Sequence, residues 1–174
     1  MAGHSKWAKL KHTKGKTDAQ KSKLFSKLVR FISIEARKSK GDRTAPGLRA
    51  AIDKARAENM PSENIDRAIE KASASGELEQ VVYEAYGPGG VALVIEGYTD
   101  SRNRTAQEIK HVLSLHGVAL AQPGAASWAF TKGENGLEPQ TTVEISEEEG
   151  AKLSELVDAL EDHDDINEVY TNAA

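Results

Sequence analysis

The sequence predicts an α+β protein: a helical bundle led by a basic arm, then a layer of helices on an antiparallel sheet. Three observations carry this reading. Apolar residues recur at helical spacing from about residue 17 to residue 76. From Gln80 the pattern changes to short β-rich runs broken by turn residues. Three capping-box runs, at Thr17, Thr105 and Ser146, mark where helices begin.

Taken in order, residues 1–17 (MAGHSKWAKLKHTKGKT) hold only Trp7 and Leu10 as sizeable apolar groups among five lysines. Such a stretch buries too little surface to offset its own ordering, so it is expected to be mobile until bound. Thr17-Asp-Ala-Gln20 opens the first helix, with Asp18 at the positive end of its dipole. Leu24, Phe25, Leu28, Val29 and Ile32 form one apolar stripe along it. A second helix runs from about Pro46 to Glu58 with Leu48, Ala51, Ile52 and Ala55 inward, and Asn59-Met60-Pro61 ends it. Ser62 caps a third, which carries Ile65, Ala68, Ile69 and Ala72 and stops at Gly76. Three amphipathic helices with short links make a small bundle.

In the second half, Val81–Tyr86 and Val91–Tyr98 read as strands joined by Gly87-Pro88-Gly89-Gly90. Thr105-Ala-Gln-Glu108 opens a helix with Ile109, Val112 and Leu113 inside, closed by His116-Gly117. Strand material is expected at Val118–Ala121, Ser127–Phe130 and Thr141–Ile145. Ser146-Glu-Glu-Glu149 then starts a helix carrying Leu153, Leu156, Val157 and Leu160, and Ile166–Tyr170 is a last strand. The order βαββαβ, behind an extra leading strand, is that of a ferredoxin-like domain. Ser73, Ser75 and Gly76 suggest a junction, giving two expected domains, residues 1–76 and 77–174.

Charge divides the chain in a similar place. The first 43 residues hold 13 of the 23 Lys and Arg and three acids, a net charge of +10, so the remaining residues carry −14. A basic stretch this dense in an acidic protein points to a polyanion, nucleic acid first, because lysine and arginine release the counterions condensed on phosphates. The expected contacts are Lys6, Trp7, Lys9, Lys11, His12, Lys14 and Lys16 on the arm, then Lys21, Lys23, Lys27 and Arg30 on the first helix. Trp7 either stacks on an unpaired base between lysine-held phosphates or anchors the arm on the next helix, and the two roles are compatible. Arg102 and Arg104, just ahead of the Thr105 cap, form a further candidate phosphate site, read against ordinary surface arginines on a loop. Helix-turn-helix reading is rejected: the third helix exposes Glu63, Asp66 and Glu70 against Arg67 and Lys71, a poor guest for a major groove.

Other classes find little support. Cysteine is absent, which excludes disulfides, thiolate zinc sites and cysteine nucleophiles. No apolar run approaches the roughly 18 residues of a spanning helix. The basic N-terminus continues into Lys, His and Ser where a signal peptide needs an apolar core, so a cytoplasmic protein with no membrane partner is expected. The nucleotide-binding, serine-hydrolase and metalloprotease motifs are missing, and the five histidines show no ligand spacing. No enzyme activity, cofactor, metal or small-molecule substrate is expected. Gly87–Gly90 matches a GXXG clamp formally but reads as a turn between strands, and Asp162-His163-Asp164-Asp165 reads as a solvated turn after a helix.

The runs AGHSKWAKLKH, KLFSKLVRFI, RAAIDKARAENMPSENIDRAIEKA and YEAYGPGGVALVIEGYTDSRNRT together resemble the YebC-type family over nearly the whole chain. The resemblance implies a cytoplasmic, non-enzymatic regulator of gene expression. Members are commonly labelled probable transcriptional regulators, and mitochondrial relatives are translational activators. One departure is large. The family places a further small α+β domain between segments like SWAF and TTVEIS, whereas here ten residues, with Gly133, Gly136 and Pro139, suit a simple loop.

Two mechanisms follow. Transcription regulation requires duplex DNA binding; translation regulation requires contact with RNA and the ribosome. A basic arm with one aromatic, no reader helix and no dimerisation seam favours RNA and a monomer. DNA binding is the alternative. A protein-interaction adaptor using the acidic half is a third reading, and it leaves the basic arm unexplained.

Overall fold

The computed structural model describes residues 18–74, 77–134 and 136–174. They fall into two compact units that divide between Glu79 and Gln80. The Thr17 cap, the arm and the Ser75-Gly76 junction lie outside the described residues.

The first unit is a three-helix bundle of α1 (Asp18–Lys38), α2 (Pro46–Ala57) and α3 (Ser62–Ala74). Its turns close for local reasons. After α1, Lys40 and Gly41 take positive φ of 53° and 81°, and the Gly41 N–H returns to the Ala36 carbonyl at 2.7 Å. After α2, Asn59 takes φ 60° and the Met60 N–H reaches the Ala55 carbonyl at 3.0 Å, while the Met60 side chain turns into the core. α2 starts with Pro46 in its first turn, where the missing N–H costs nothing. Ser62 is the first residue of α3 rather than the cap before it, since the Asn64 and Ile65 N–H groups bond the Pro61 carbonyl. All eight inward positions read for α2 and α3 are buried. They meet Leu28, Ile32 and Ala36 of α1, with alanines letting the helices approach closely.

The second unit is α+β: β1 (Glu79–Tyr86), β2 (Ala92–Thr99), α4 (Arg102–Leu115), β3 (Leu120–Ala121), β4 (Phe130–Gly133), β5 (Gly136–Pro139), α5 (Glu147–Glu161) and β6 (Ile166–Thr171). The main sheet has the order β3-β1-β2-β6, with β1–β3 and β2–β6 antiparallel. Helices α4 and α5 cover one face through Ile109, Leu113, Leu153, Leu156 and Leu160, against Leu93 and Ile95 of β2 and Val91 just before it. On the other face Ala92 and Val94 meet Ala126, Ala129 and Phe130. Both faces of β2 are therefore buried, which explains its nearly continuous apolar sequence. In the Gly87–Gly90 turn, Gly89 and Gly90 have φ of 72° and 77°, and a Cβ on Gly89 would strike Ile145.

The fold class is as read, but the strands between the two helices differ. The leading strand β1 lies between β2 and β3, so no strand from that segment adjoins β2. Val118 closes α4, its N–H bonding the Leu113 carbonyl at 3.0 Å beyond left-handed Gly117, which leaves only Leu120 and Ala121 to pair. Ser127–Ala129 is a 3₁₀ turn, with strand beginning at Phe130. Thr141–Ile145 contributes one parallel bridge, Val143 to Ala173. The expected simple loop is instead the β4–β5 hairpin, pairing Phe130 with Pro139 and, at the end of the ladder, Gly133 with Gly136.

Candidate nucleic-acid interface

Helix α1 gains about 100° per residue, so Lys23, Lys27, Arg30, Arg37 and Lys38 stand on the face away from Leu28, Ile32 and Ala36. A basic stripe thus runs opposite the packing stripe, but it is not wholly outward, because Ile34 lies within it at 3% exposure and Arg30 and Arg37 are half-buried. Lys23 is exposed, while Lys27 and Arg30 are half-buried, so part of each stem lies against protein. Lys21 stands instead on the packing side, exposed in the first turn before the core begins. Lys38 pairs with Glu35 at 3.0 Å. The arm residues Lys6, Trp7, Lys9, Lys11, His12, Lys14 and Lys16 lie outside the described residues. Lys54 of α2 sits 5.8 Å from the centre of the Phe31 ring, tying a further cation to α1.

The arginines of the second unit are placed differently from the reading of the sequence. Helix α4 begins at Arg102, with Ser101 as a cap that makes no side-chain bond, so both arginines stand inside its first turn. Arg104 Nη2 lies 2.8 Å from Asp100 Oδ1 and 3.0 Å from Asp165 Oδ2. These hydrogen bonds, Asp100 first, hold the Arg104 guanidinium above its ordinary pKa, and the same contact lowers that of Asp100. Positive charge at a helix N-terminus opposes the macrodipole, and the two carboxylates compensate it. Thr105, read as a cap, is a buried residue of the helix; its Oγ1 donates to Asp165 Oδ2 at 2.6 Å and lies 2.8 Å from Thr99 Oγ1.

The Asp162–Asp165 turn is solvated at Asp162 and Asp164, as read, but not at Asp165. Asp165 is 5% exposed, its N–H bonds His163 Nδ1 at 3.1 Å, and His163 Nε2 lies 2.7 Å from Glu108 Oε2. Because Nδ1 accepts, Nε2 carries the proton and donates to Glu108. Glu108, His163 and Asp165 place ligand atoms within 4.8 Å of one another. Each of those atoms already serves a protein partner, and a guanidinium adjoins the site, so the group reads as a structural network.

Sequence reasoning missed Arg43, Arg49 and Arg56, which line one depression on the first unit. The signal was present: Arg49 and Arg56 are seven residues apart, two turns on one flank of α2. Among the described residues no helix is long and apolar enough to cross a membrane.

Residues 5–75 match the model of the TACO1/YebC protein N-terminal domain, and residues 78–135 and 131–173 match that of the TACO1/YebC second and third domain. The chain belongs to the TACO1/YebC family. A probable transcriptional regulatory protein from Thermosipho africanus is 37% identical over 237 aligned positions, covering 99% of this chain and 93% of that one. One of the same name from Petrotoga mobilis is 47% identical over 161 residues, covering 90% and 61%. The crystal structure of a conserved hypothetical protein from Aquifex aeolicus superposes with a TM-score of 0.82 at 34% identity, covering 98% of this chain and 97% of that one. The two matched pieces of the second-and-third-domain model meet at residues 131–135, within the β4–β5 hairpin. The alignment to the Thermosipho africanus protein also runs over more positions than this YebC chain has residues. Both agree with a short form in which a hairpin stands at the join.

Proposed function

We propose that this YebC protein is a non-enzymatic, monomeric regulator of gene expression that binds RNA at the ribosome, through its N-terminal arm and the cationic stripe of α1. The observation that carries the reading is the charge division, +10 over the first 43 residues against −14 beyond. Exposed Lys23 and half-buried Lys27 and Arg30 extend the basic character onto a rigid element, beside buried Ile34. α3 supports RNA over duplex DNA. Its outer surface carries Glu63 and Glu70 exposed beside Arg67 and Lys71, so it brings no net positive charge to a major groove.

The name of the relatives, probable transcriptional regulatory protein, favours a second reading as a DNA-binding regulator. Co-sedimentation with ribosomes, run beside a duplex-DNA binding assay at about 0.15 M salt, separates them. Ribosome association that is lost as salt rises supports the first reading. Tight duplex binding without ribosome association supports the second.

A further inference from the structure

The loop after α1 and one flank of α2 border a depression of about 320 Å³, lined by Arg43, Thr44, Arg49, Ile52, Asp53 and Arg56. The loop is a fixed wall. Asp42 Oδ1 accepts from the Thr44 N–H at 2.9 Å and from Thr44 Oγ1 at 2.7 Å, and left-handed Lys40 and Gly41 lead into it. Arg43 reaches across to Asp66 of α3 at 2.7 Å, which fixes one edge of its guanidinium and leaves the other donors to the depression.

The remaining two arginines are less committed. The nearest carboxylate to Arg56 is Asp53 at 4.0 Å, the outer limit of an ion pair, and its side chain is 63% exposed. The Arg49 side chain makes no ion pair or hydrogen bond among the described residues, and it projects from the first turns of α2, where the dipole adds positive potential. The floor is apolar: Ile52 is only 5% exposed. A rim of planar guanidiniums over an apolar floor suits one ligand chemistry well. The forks grip a phosphate through paired N–H groups, while the floor and guanidinium planes receive the face of a base.

We propose that this depression holds one nucleotide of an unpaired RNA segment, its phosphate between Arg49 and Arg56 and its base over Ile52. The inference rests on the RNA reading above and adds a contact that the arm and α1 do not supply. The test uses the full chain and a labelled, unstructured 20-nucleotide RNA, titrated across a series of potassium chloride concentrations. Both arginines are exposed, so Arg49→Ala/Arg56→Ala is expected to melt with the parent. It should bind roughly tenfold more weakly, with the log–log salt slope reduced by about 0.7, the value for one single-strand phosphate. Arg49→Lys/Arg56→Lys should restore the slope but only part of the affinity, because the charge returns without the fork. Unchanged affinity and slope in the alanine pair, in a preparation where Lys6, Lys9 and Lys11→Ala weakens binding, overturns this site alone. A parent chain that does not bind this RNA, or prefers duplex DNA, overturns the RNA reading with it.

Discussion

Asp165→Ala removes the carboxylate on which the second unit's polar network converges. Oδ2 accepts from Thr105 Oγ1 at 2.6 Å and from Arg104 Nη2 at 3.0 Å, and only 7% of the side chain is exposed. A hydrogen bond to a buried charged group contributes about 1.5–3 kcal/mol. The Arg104 contact adds less, because that guanidinium is 47% exposed and keeps Asp100. Thr105 Oγ1 retains Thr99 Oγ1 and the Ser101 carbonyl, so truncation leaves no orphaned hydroxyl. The loss is therefore about 2–4 kcal/mol. In a unit with fewer than a hundred described residues, each kcal/mol moves the melting midpoint by about 4–8 °C, so a fall of roughly 8–30 °C is expected. Calorimetry of the full chain measures it. Asp165→Asn, which keeps an acceptor, should recover part of the loss, and Asp165→Ala combined with Thr105→Val should fall short of the sum of the single changes. A midpoint within about 3 °C of the parent, or strict additivity, would refute the network as described.

Three further outcomes are expected. Gly97→Ala places a Cβ against the backbone carbonyl of Asp165, at the irregularity where β2 slips relative to β6; a loss of about 3 kcal/mol is expected, and an unchanged denaturant midpoint would count against it. Burial pushes the Glu96 carboxyl above its ordinary pKa, with Lys132 opposing, so this group favours the fold when protonated and loses that contribution as pH rises through its raised pKa. Glu96→Gln should therefore melt higher than the parent at pH 7, with the gap closing towards about pH 4; a gap that is constant with pH contradicts the sign. Deleting residues 1–17 should weaken RNA binding and flatten its salt dependence, by up to about 3.5 in log–log slope for five lysines at about 0.7 each, whereas an unaltered slope would place the affinity elsewhere.

What the sequence disclosed depended on the range of the interactions. The inward positions of α2 and α3 follow from period and small-residue placement within one helix, and all of them are buried. The Ser146 box closes as written, with the Ser146 side chain and Glu149 each bonding the other's backbone N–H. Thr105 has the same local signature and does something else. Its hydroxyl serves Thr99 and Asp165, and Asp165 lies sixty residues away, a partnership that local spacing cannot reveal. The start of α4 was hidden for the same reason, because Ser101 provides no side-chain bond and the first turn is held through Asp100 and Asp165. Val118 belongs to a strand by composition and to a helix end by hydrogen bonding, and the left-handed glycine before it decides the competition.

The same network bears on how the protein meets a polyanion. Arg104 is paired with Asp100 and Asp165, so much of its charge is offset where it stands, at the surface. The second unit then presents an acidic exterior, with an unbroken acidic first turn, Glu147, Glu148 and Glu149, at the start of α5. Screening confines that repulsion to roughly 8 Å at physiological salt, so it does not prevent the basic unit from binding. It does penalise any pose that brings phosphates against α5. Under the proposed reading, affinity belongs to the first unit, and the acidic second unit restricts the poses in which that affinity is realised. Neutralising Glu147, Glu148 and Glu149 should accordingly raise non-specific RNA affinity at low salt and leave it unchanged at high salt. Equal affinity of variant and parent at low salt would show that the acidic exterior plays no part in that selection.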